Sequence, residues 1–575
     1  MLFSGIFALA LEMVQLDEPA QLHYQLLIAP APVERVHGHL RITGLDPDEE
    51  QLNLYMVRRY ALVALPAPLL VGQPQVVDSQ GQTLALESLD PYRWKLDKGS
   101  ATEIEISWVV SIEHRRQASV PGSSRYQFPY LSEDHGMLTT SAILLVPEQL
   151  DFSPPLLTIE TPDGWPVHGP WPQIAPGVFR PKNEYALVSN FFGVGAWDQA
   201  KVDAPGVQVT LLFAPGQRPL RELIMPLVTP ILRAELELFQ VQPFEHYTVL
   251  FGQVGEAGLG GSPKQGSMTM YAETRLWNEA GASPLVHLLA HEFFHTWGHV
   301  RYRCPDELRF FNEGFTDYYA RLVPARLGSA PWFEFAEAIE TALAQWERNP
   351  ASQHLSLVSA GGPAFFNDTN AYQLVYSGGL VLAALTDLYL RNRDLRVDGR
   401  SGNLDELMRS FNNDPRWSLE GRAPRLRNLR LALAERLGHS RARTLISYAF
   451  QPGVPDLPAA FAAAGTALER DKRAPSNNLR ANLDGPVIRS LASDGLAARI
   501  GLQPGDRVRR INGQDIFSER ELRSAWGQID STILVEIIRG QESMLIEQTV
   551  PKEIHYRLPL DAWDPERAAP PPRFR

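Results

Sequence analysis

Residues 287–299 read HLLAHEFFHTWGH, and residues 310–319 read FFNEGFTDYY. The first stretch continues an apolar segment that begins at Ser283, a residue suited to a helix N-cap, followed by Pro284, which suits the first turn. In the second stretch, a short helix is predicted to begin near Asn312. The two stretches therefore predict two helices that carry titratable side chains among apolar ones.

The pentapeptide HEFFH is an HExxH motif, with His291 and His295 at its ends. Histidines four residues apart share one face of a helix, with Cβ atoms about 5–6 Å apart, so their imidazoles can converge on one metal ion. Glu292 lies on a neighbouring part of that face and can act as the general base toward an attacking water. Histidines that simply pack in a core give the same spacing, so the motif alone leaves that alternative open.

A third ligand is expected in the second stretch. Glu313 follows His295 after 17 intervening residues, and the helix near Asn312 would return it to the metal. Two histidines and one glutamate leave a fourth position open, which is typical of catalytic zinc sites. Asp317, one helical turn later, either accepts a ring N–H from a ligand histidine or is a solvated helix carboxylate.

Other candidate ligands are not assigned to the metal. His287 and His299 extend the four-residue spacing, but a straight helix carries the i+8 position about 12 Å along its axis, beyond the reach of one ion. The chain has one cysteine, Cys304, so disulfides within the chain and cysteine zinc sites are excluded. Zinc is inferred from the ligand types alone, and other divalent ions occupy such sites too.

The composition argues against some functions. The 575 residues are 44% hydrophobic and 21% charged, and the formal net charge of −12 argues against a nucleic-acid partner. The sequence has no run of 18 apolar residues, so no transmembrane segment is predicted. The apolar N-terminal stretch lacks the basic flank of a secretory signal, which favours the cytoplasm over export.

A chain of this length is predicted to form several domains. Residues 1–205 alternate in polarity between Gly, Pro and Asp turns, which predicts an antiparallel β domain. Residues 206–470 change from a mixed α/β pattern to a mostly helical one. Residues 476–552 return to short strands and turns, and residues 553–575 are predicted to be a disordered tail. The predicted fold class is therefore multidomain α+β.

Local patterns predict the elements around the motif. Residues 221–239 are predicted to be a helix that early prolines kink or delay, and residues 247–254 a buried strand. Five glycines predict a loop at 255–266. The alternating residues 267–273 are predicted to be an edge strand, and its part Ser267–Tyr271 would hold an extended peptide. Further helices are predicted at 379–391 and 425–437.

These residues resemble a known family. HEFFHTW (291–297), FNEGFTDYY (311–319) and VYSGGLVLAALTDLYLR (375–391) look like the glycyl aminopeptidase family of gluzincin metallopeptidases, and LDPYRWKLD (89–97) looks like part of its β domain. The resemblance implies an N-terminal β domain, a thermolysin-like catalytic domain of α/β and helical parts, a C-terminal PDZ domain and one zinc ion per chain. It also implies that Tyr376 donates a hydrogen bond to the tetrahedral intermediate; a buried core tyrosine is the alternative.

The C-terminal segment is similar to a PDZ domain. GPVIRSLASDGLAARIGLQPGDRVRRINGQDI (485–516) has the PDZ core pattern, with tight turns at 501–506 and 511–513. PDZ domains bind extended peptides by strand addition, so a peptide ligand is a further expected partner. The carboxylate-binding loop expected near Leu483–Val487 is degenerate, and a generic small β domain is the alternative.

The chain departs from the family pattern at two places. The family's GGLEH corresponds to residues 260–264, GGSPK, with Pro263 where a glutamate would bind the substrate's amino group and Lys264 after it. Glu256 is a candidate substitute on the same predicted loop. Gly378, two residues after Tyr376, replaces the family's usual lysine. The resemblance therefore implies peptide hydrolysis and leaves the aminopeptidase specificity open.

The working hypothesis is a mononuclear zinc peptidase, aminopeptidase-like, that acts on peptides or proteins. The expected ligands are His291, His295 and Glu313, with Glu292 as general base and Tyr376 as oxyanion donor. An endopeptidase would differ only in the substrate end it requires. A peptide-binding or chaperone-like protein with a vestigial peptidase domain is the alternative from another class, because the family glutamate is missing and a PDZ module is expected.

Overall fold

Three units with separate apolar cores follow one another along the chain: an N-terminal β unit, a central α/β unit and a C-terminal β unit. This confirms the predicted multidomain α+β class. The structure is a computed structural model. It describes residues 19–559 except 59–67, 113–127, 163, 205, 241–243, 253–258, 273–282, 298–303, 398–401, 414–423, 474–478, 480, 492–495, 527, 530–531 and 551–552.

In the N-terminal unit, strands pair into sheets of seven, four and four strands within the described residues. The orders are β13-β14-β11-β1-β2-β7-β4, β10-β3-β6-β5 and β12-β15-β9-β8. The strands are β1 (Gln21–Ala29), β2 (Arg35–Thr43), β3 (Gln51–Tyr55), β4 (Gln75–Asp78), β5 (Ala85–Asp90), β6 (Arg93–Asp97), β7 (Glu103–Ser111), β8 (Tyr130–Leu131), β9 (His135–Thr139), β10 (Val146–Pro147), β11 (Leu156–Glu160), β12 (Val167–His168), β13 (Gln173–Ala175), β14 (Val178–Phe179) and β15 (Phe191–Gly195), with short helices α1 (Thr140–Ile143) and α2 (Glu184–Val188).

Strands β1 and β2 bury every second residue, as their alternating sequences predict. The prediction that this domain is purely antiparallel was wrong at one place, because β1 and β11 pair in parallel. Residues far apart in the chain make that pairing, so no local pattern reveals its direction.

The central unit begins with a five-stranded sheet in the order β16-β17-β18-β20-β19. Its strands are β16 (Asp198–Ala204), β17 (Val207–Phe213), β18 (His246–Phe251), β19 (Leu259–Pro263) and β20 (Ser267–Ala272). Strands β16 and β17 form one antiparallel hairpin, so the predicted boundary at residue 205 falls inside that hairpin. An apolar cluster that includes Phe191, Trp197 and Leu250 joins this sheet to the N-terminal unit.

The edge of this sheet differs from the prediction. The segment 267–273 was predicted as the edge strand, but β20 lies between β18 and β19. The edge is β19, within the segment predicted as a loop, and it pairs antiparallel with β20. The prediction failed because glycines carry no polar or apolar alternation, so a glycine-rich strand looks like a loop in sequence.

Helices make up the rest of the central unit within the described residues: α3 (Arg218–Phe239), α4 (Ser283–Phe294), α5 (Arg309–Arg326), α6 (Trp332–Arg348), α7 (Leu357–Ala360), α8 (Ala364–Asn367), α9 (Thr369–Arg391), α10 (Leu404–Asn413), α11 (Leu426–Phe450, with non-helical dihedral angles at Gly438) and α12 (Leu457–Ala463). The delay that early prolines were expected to cause in α3 is not seen: the helix begins at Arg218, before the predicted start, and contains Pro226 and Pro230. Helix α5 begins before Asn312 and is longer than predicted.

Helices α5 and α9 cross at a pair of glycines. A Cβ atom on Gly314 would lie 2.2 Å from the carbonyl carbon of Gly379, so only glycine permits this close approach. The contact brings the residue before Gly314, Glu313, next to the N-terminal half of α9. This crossing therefore sets the distance between a predicted metal ligand and the predicted catalytic tyrosine.

By length and composition, one helix in the described part of the chain could cross a membrane. It is α9, and 89% of its most apolar window is buried inside the fold. It packs along α5 and α6. Its apolar residues thus contribute to the core of the central unit.

The C-terminal unit contains a sheet in the order β22-β23-β24-β26-β27, with β25 beside β24. Its elements are β22 (Ala481–Asp484), β23 (Val487–Leu491), α13 (Leu496–Arg499), β24 (Arg507–Ile511), β25 (Gln514–Asp515), α14 (Glu519–Trp526), β26 (Thr532–Arg539) and β27 (Glu542–Thr549). A separate two-stranded ribbon of β21 (Glu469–Arg473) and β28 (Glu553–Arg557) precedes and follows it.

This ribbon joins the C-terminal unit to α6. Arg470 of β21 and Tyr556 of β28 both contact the carboxylate of Glu347, and the amide of Leu558 donates to Glu340 at 2.7 Å. Residues 553–557 had been predicted as the start of a disordered tail, and they form β28 instead. The partner strand is distant in sequence, which is why the local composition was misleading; residues 560–575 lie outside the described residues.

Candidate metal centre

Two helices bring the three predicted ligands together. His291 lies on α4, His295 lies in the turn that continues it, and Glu313 lies on α5. The Nε2 atoms of the two histidines are 3.0 Å apart, and they lie 3.6 Å and 3.3 Å from Oε2 of Glu313. All three residues are buried.

This donor set fits a zinc ion. Tetrahedral bonds of about 2.1 Å place neighbouring ligand atoms about 3.4 Å apart, close to the three separations observed here. Two imidazoles and one carboxylate are the ligand types expected of an open, catalytic zinc site. Among the described residues, this is the group of His, Cys, Asp and Glu side chains that could hold a metal ion.

Tyr376 reaches the same cluster from α9. Its hydroxyl donates to Oε2 of Glu313 at 2.8 Å, and its ring lies 5.9 Å from the ring of His291. Burial first, and the nearby Glu313 carboxylate second, raise the pKa of Tyr376 well above its ordinary value. The hydroxyl is therefore protonated at physiological pH and available as a hydrogen-bond donor.

Glu292 faces the edge strand β19. A Cβ atom on Gly261 would lie 2.6 Å from Cγ of Glu292, so the glycine lets the strand and the carboxylate approach each other. Burial raises the pKa of Glu292 above its ordinary value, although the two histidines oppose this. A carboxylate of raised pKa beside an edge strand is suited to accept a proton from water.

Sequence reasoning missed two residues that support the ligands. Asn312 donates to the second oxygen of Glu313 at 3.0 Å, and the hydroxyl of Thr316 lies 3.5 Å from Nδ1 of His295. Both lie on α5 within one turn of Glu313. Helical spacing from that ligand was the signal that could have found them.

Asp317 lies near its predicted partner but not in contact with it. Its Oδ1 is 3.7 Å from Nδ1 of His291, longer than a hydrogen bond, and 3.0 Å from Nε2 of His287. His287, which was not assigned as a ligand, thus pairs with this carboxylate. His299 and Glu256 lie outside the described residues.

The two departures from the family pattern lie on different elements of the central unit. Pro263 ends the edge strand β19, on the strand that faces Glu292. The ammonium group of Lys264 lies 5.6 Å from the centre of the Phe191 ring in the N-terminal unit, and burial lowers its pKa to about 8. A Cβ atom on Gly378 would meet the side chain of Leu357, so this position faces the core.

Comparison with protein families agrees with this geometry. Residues 70–190 match the Peptidase M61 N-terminal domain, and residues 284–381 match the M61 glycyl aminopeptidase model, which spans the three clustered residues, Glu292 and Tyr376. These two matches support a gluzincin zinc peptidase family. The predicted resemblance is confirmed for the peptidase family, and the activity of this chain is zinc-dependent, aminopeptidase-like hydrolysis of peptide bonds.

Solved structures share the fold of this chain at low sequence identity. An aminopeptidase N family protein from Idiomarina loihiensis is 17% identical, with a TM-score of 0.68 over 94% of this chain and 99% of that one. An M1 zinc metallopeptidase variant from Deinococcus radiodurans, bound to a Tyr-Ser-Ala substrate, is 13% identical, with a TM-score of 0.50 over 77% of this chain and 95% of that one. A search of curated proteins finds no match.

Proposed function

We propose that His291, His295 and Glu313 hold the zinc ion of this peptidase and that Glu292 and Tyr376 perform the proton and hydrogen-bond chemistry. The observation that carries the proposal is the convergence of two imidazole nitrogens and one carboxylate oxygen within 3.0–3.6 Å in a buried cluster. Zinc, when bound there, supplies Lewis acidity that lowers the pKa of water and polarises a carbonyl. The remaining steps belong to the chain's own side chains.

Glu292 takes a proton from the attacking water and later delivers it to the leaving amine. Its raised pKa brings it closer to neutral pH, where one carboxylate can both accept and return a proton. Tyr376 donates a hydrogen bond from its hydroxyl to the developing oxyanion. Because the hydroxyl donates to Glu313 in this structure, it must exchange one acceptor for the other during catalysis.

The edge strand β19 is proposed to hold the substrate backbone. Its outer edge has no neighbouring strand among the described residues, and Gly261 brings it against Glu292. An extended peptide can add to such an edge by backbone hydrogen bonds. Peptide binding, which was predicted for Ser267–Tyr271, is therefore proposed for the neighbouring strand β19 instead.

An endopeptidase is the second candidate, and Pro263 favours it. Proline stands where the resemblance expects the glutamate that binds a substrate's amino group, and proline offers no charge. Without that carboxylate, the free amino group of a substrate gains less binding energy than it would in the family pattern. The aminopeptidase reading then requires a different counter-charge for the amine.

The deciding experiment offers the purified enzyme a peptide library, half with free and half with acetylated N-termini, with and without a chelator. Loss of single N-terminal residues from free peptides, abolished by the chelator, is expected for the aminopeptidase. Internal cuts in both halves would favour the endopeptidase. A zinc-loaded protein that cuts neither half would contradict both and favour the peptide-binding alternative.

Tyr376→Phe is expected to lower kcat by about 10²-fold, the usual cost of losing one oxyanion donor. Zinc affinity and KM should change little, since the ring and the three ligands remain. Steady-state kinetics on one cleaved peptide checks this. Tyr389→Phe is the matched control, because it removes the hydroxyl of another buried tyrosine on α9; equal losses in both variants would argue against a donor role specific to Tyr376.

We also propose that residues 476–552 form a PDZ domain. Supporting this, the order of five strands leaves β22 at one edge within the described residues, and α14 lies beside it, with Arg523 donating to the carbonyl of Ala481 at 3.4 Å. An extended peptide could add to that edge. Residues 485–486, within the expected carboxylate-binding loop, join β22 to β23, so the binding loop would have to come from elsewhere.

A further inference from the structure

Helices α4 and α5 face each other over two successive turns. At one turn, His291 and Glu313 belong to the candidate metal cluster. One turn away on each helix, His287 meets Asp317, with 3.0 Å between Nε2 of the histidine and Oδ1 of the carboxylate. The same spacing of four residues on both helices therefore creates a second histidine–carboxylate pair directly behind the first.

Asp317 connects the two turns. The same Oδ1 that faces His287 lies 3.7 Å from Nδ1 of His291, the ring nitrogen on the side away from Glu313. Its other oxygen lies 3.3 Å from Nε of Arg321. The carboxylate is only 14% exposed, so its orientation depends on these three partners more than on water.

We propose that His287 is a positioning residue of the metal centre: its Nε2–H holds Asp317 beside His291, where a small rotation lets that carboxylate accept the Nδ1–H of the ligand ring. Ligand histidines need such an acceptor to fix the ring and to keep Nε2 free for the metal. The inference rests on the proposed ligand role of His291.

The distances explain why His287 has this influence. At 3.7 Å, the contact between Asp317 and His291 is just beyond hydrogen-bond length, so a small rotation of the carboxylate makes or breaks it. The shortest contact of the carboxylate in this group is the one with His287. If His287 only filled space, a residue of similar size without a hydrogen-bond donor could replace it. Loss of the donor therefore distinguishes a positioning role from a packing role.

The test compares His287→Leu with His287→Gln. Leucine removes the donor, whereas the terminal amide of glutamine can present an N–H near the position of Nε2. We expect His287→Leu to weaken zinc binding to the metal-free full-length protein by about tenfold and His287→Gln to stay near the parent value. Competition with a chromophoric chelator measures the zinc Kd, and circular dichroism checks that each metal-free variant is folded.

A double-mutant cycle with Asp317→Asn tests whether His287 acts through the carboxylate. If it does, adding His287→Leu to Asp317→Asn weakens zinc binding no further. The Co²⁺-substituted proteins give a second readout: the d–d absorption bands should shift in His287→Leu and return in His287→Gln. Equal losses in the leucine and glutamine variants, or a full additional loss in the double variant, would overturn the inference.

These results are distinguishable from a failure of the proposed metal site. A parent protein that binds no zinc would overturn the ligand set itself. A parent that binds zinc tightly, together with an unchanged Kd in His287→Leu, would leave the ligand set intact and overturn only the positioning role. Arg321→Gln is the matched control, since it removes a longer contact to the other oxygen of Asp317 and should change the Kd less.

Discussion

Glu292→Gln is expected to abolish measurable peptide hydrolysis while zinc stays bound. The glutamine amide keeps the size of the side chain beside Gly261 but cannot accept a proton from water. Loss of a general base typically costs about 10²- to 10⁴-fold in rate. Because the residue is not one of the three converging ligands, the zinc content measured by atomic absorption should equal that of the parent.

Two comparisons make this result specific. Glu222→Gln removes a carboxylate from an exposed position of α3 and should retain full activity and zinc. The pH profile of the parent should show a loss of activity at acidic pH, because a protonated Glu292 cannot act as a base; its raised pKa moves this loss upward from the range of a free carboxylate. Full turnover in Glu292→Gln would exclude Glu292 as the base.

Glu313→Gln is expected to remove both zinc and activity. The glutamine still accepts the hydrogen bond of Tyr376, but the negative charge that faces the two imidazoles is lost. The fall in zinc affinity should exceed the about 10- to 100-fold cost of losing a residue that only supports a ligand. Chelator competition measures the affinity, and the rise in Tm that zinc gives the parent should disappear in the variant.

The control for this variant is Glu334→Gln, a matched substitution at an exposed position of α6. It should bind zinc and hydrolyse peptides as the parent does. If Glu313→Gln kept the parent's zinc Kd, the third ligand would have to come from another residue. If it lost zinc but kept activity, the metal would have no part in the reaction.

The candidate ligands could be predicted from the sequence because their relation is mostly local. The spacing of four residues between His291 and His295 places both on one helix face whatever the rest of the chain does. Glu313 follows on the next predicted helix, so the prediction depended on only one connection between two helices. The helix is longer than predicted, but Glu313 lies on it as expected.

The edge strand β19 could not be predicted, because its structure depends on pairing with another segment of the chain. Strand β19 is rich in glycine, and its glycines show no alternation of polarity, so its strand character comes only from pairing with β20. The ribbon of β21 and β28 is similar, since its strands are far apart in sequence and flank the whole C-terminal sheet. Hydrogen bonds between distant segments are not encoded in the composition of either segment alone.

The sequence by itself determined which side chains are present and how they are spaced along each helix: two histidines, one glutamate and a further carboxylate next to the first histidine. Backbone hydrogen bonds four residues apart set that spacing, so it is fixed within each helix. Only the tertiary structure decided which helices meet. The crossing at Gly314 and Gly379 brings Tyr376 to Glu313, and the packing of α4 on α5 joins His287 to Asp317. Such contacts depend on how side chains of separate elements pack together, and no local period records them.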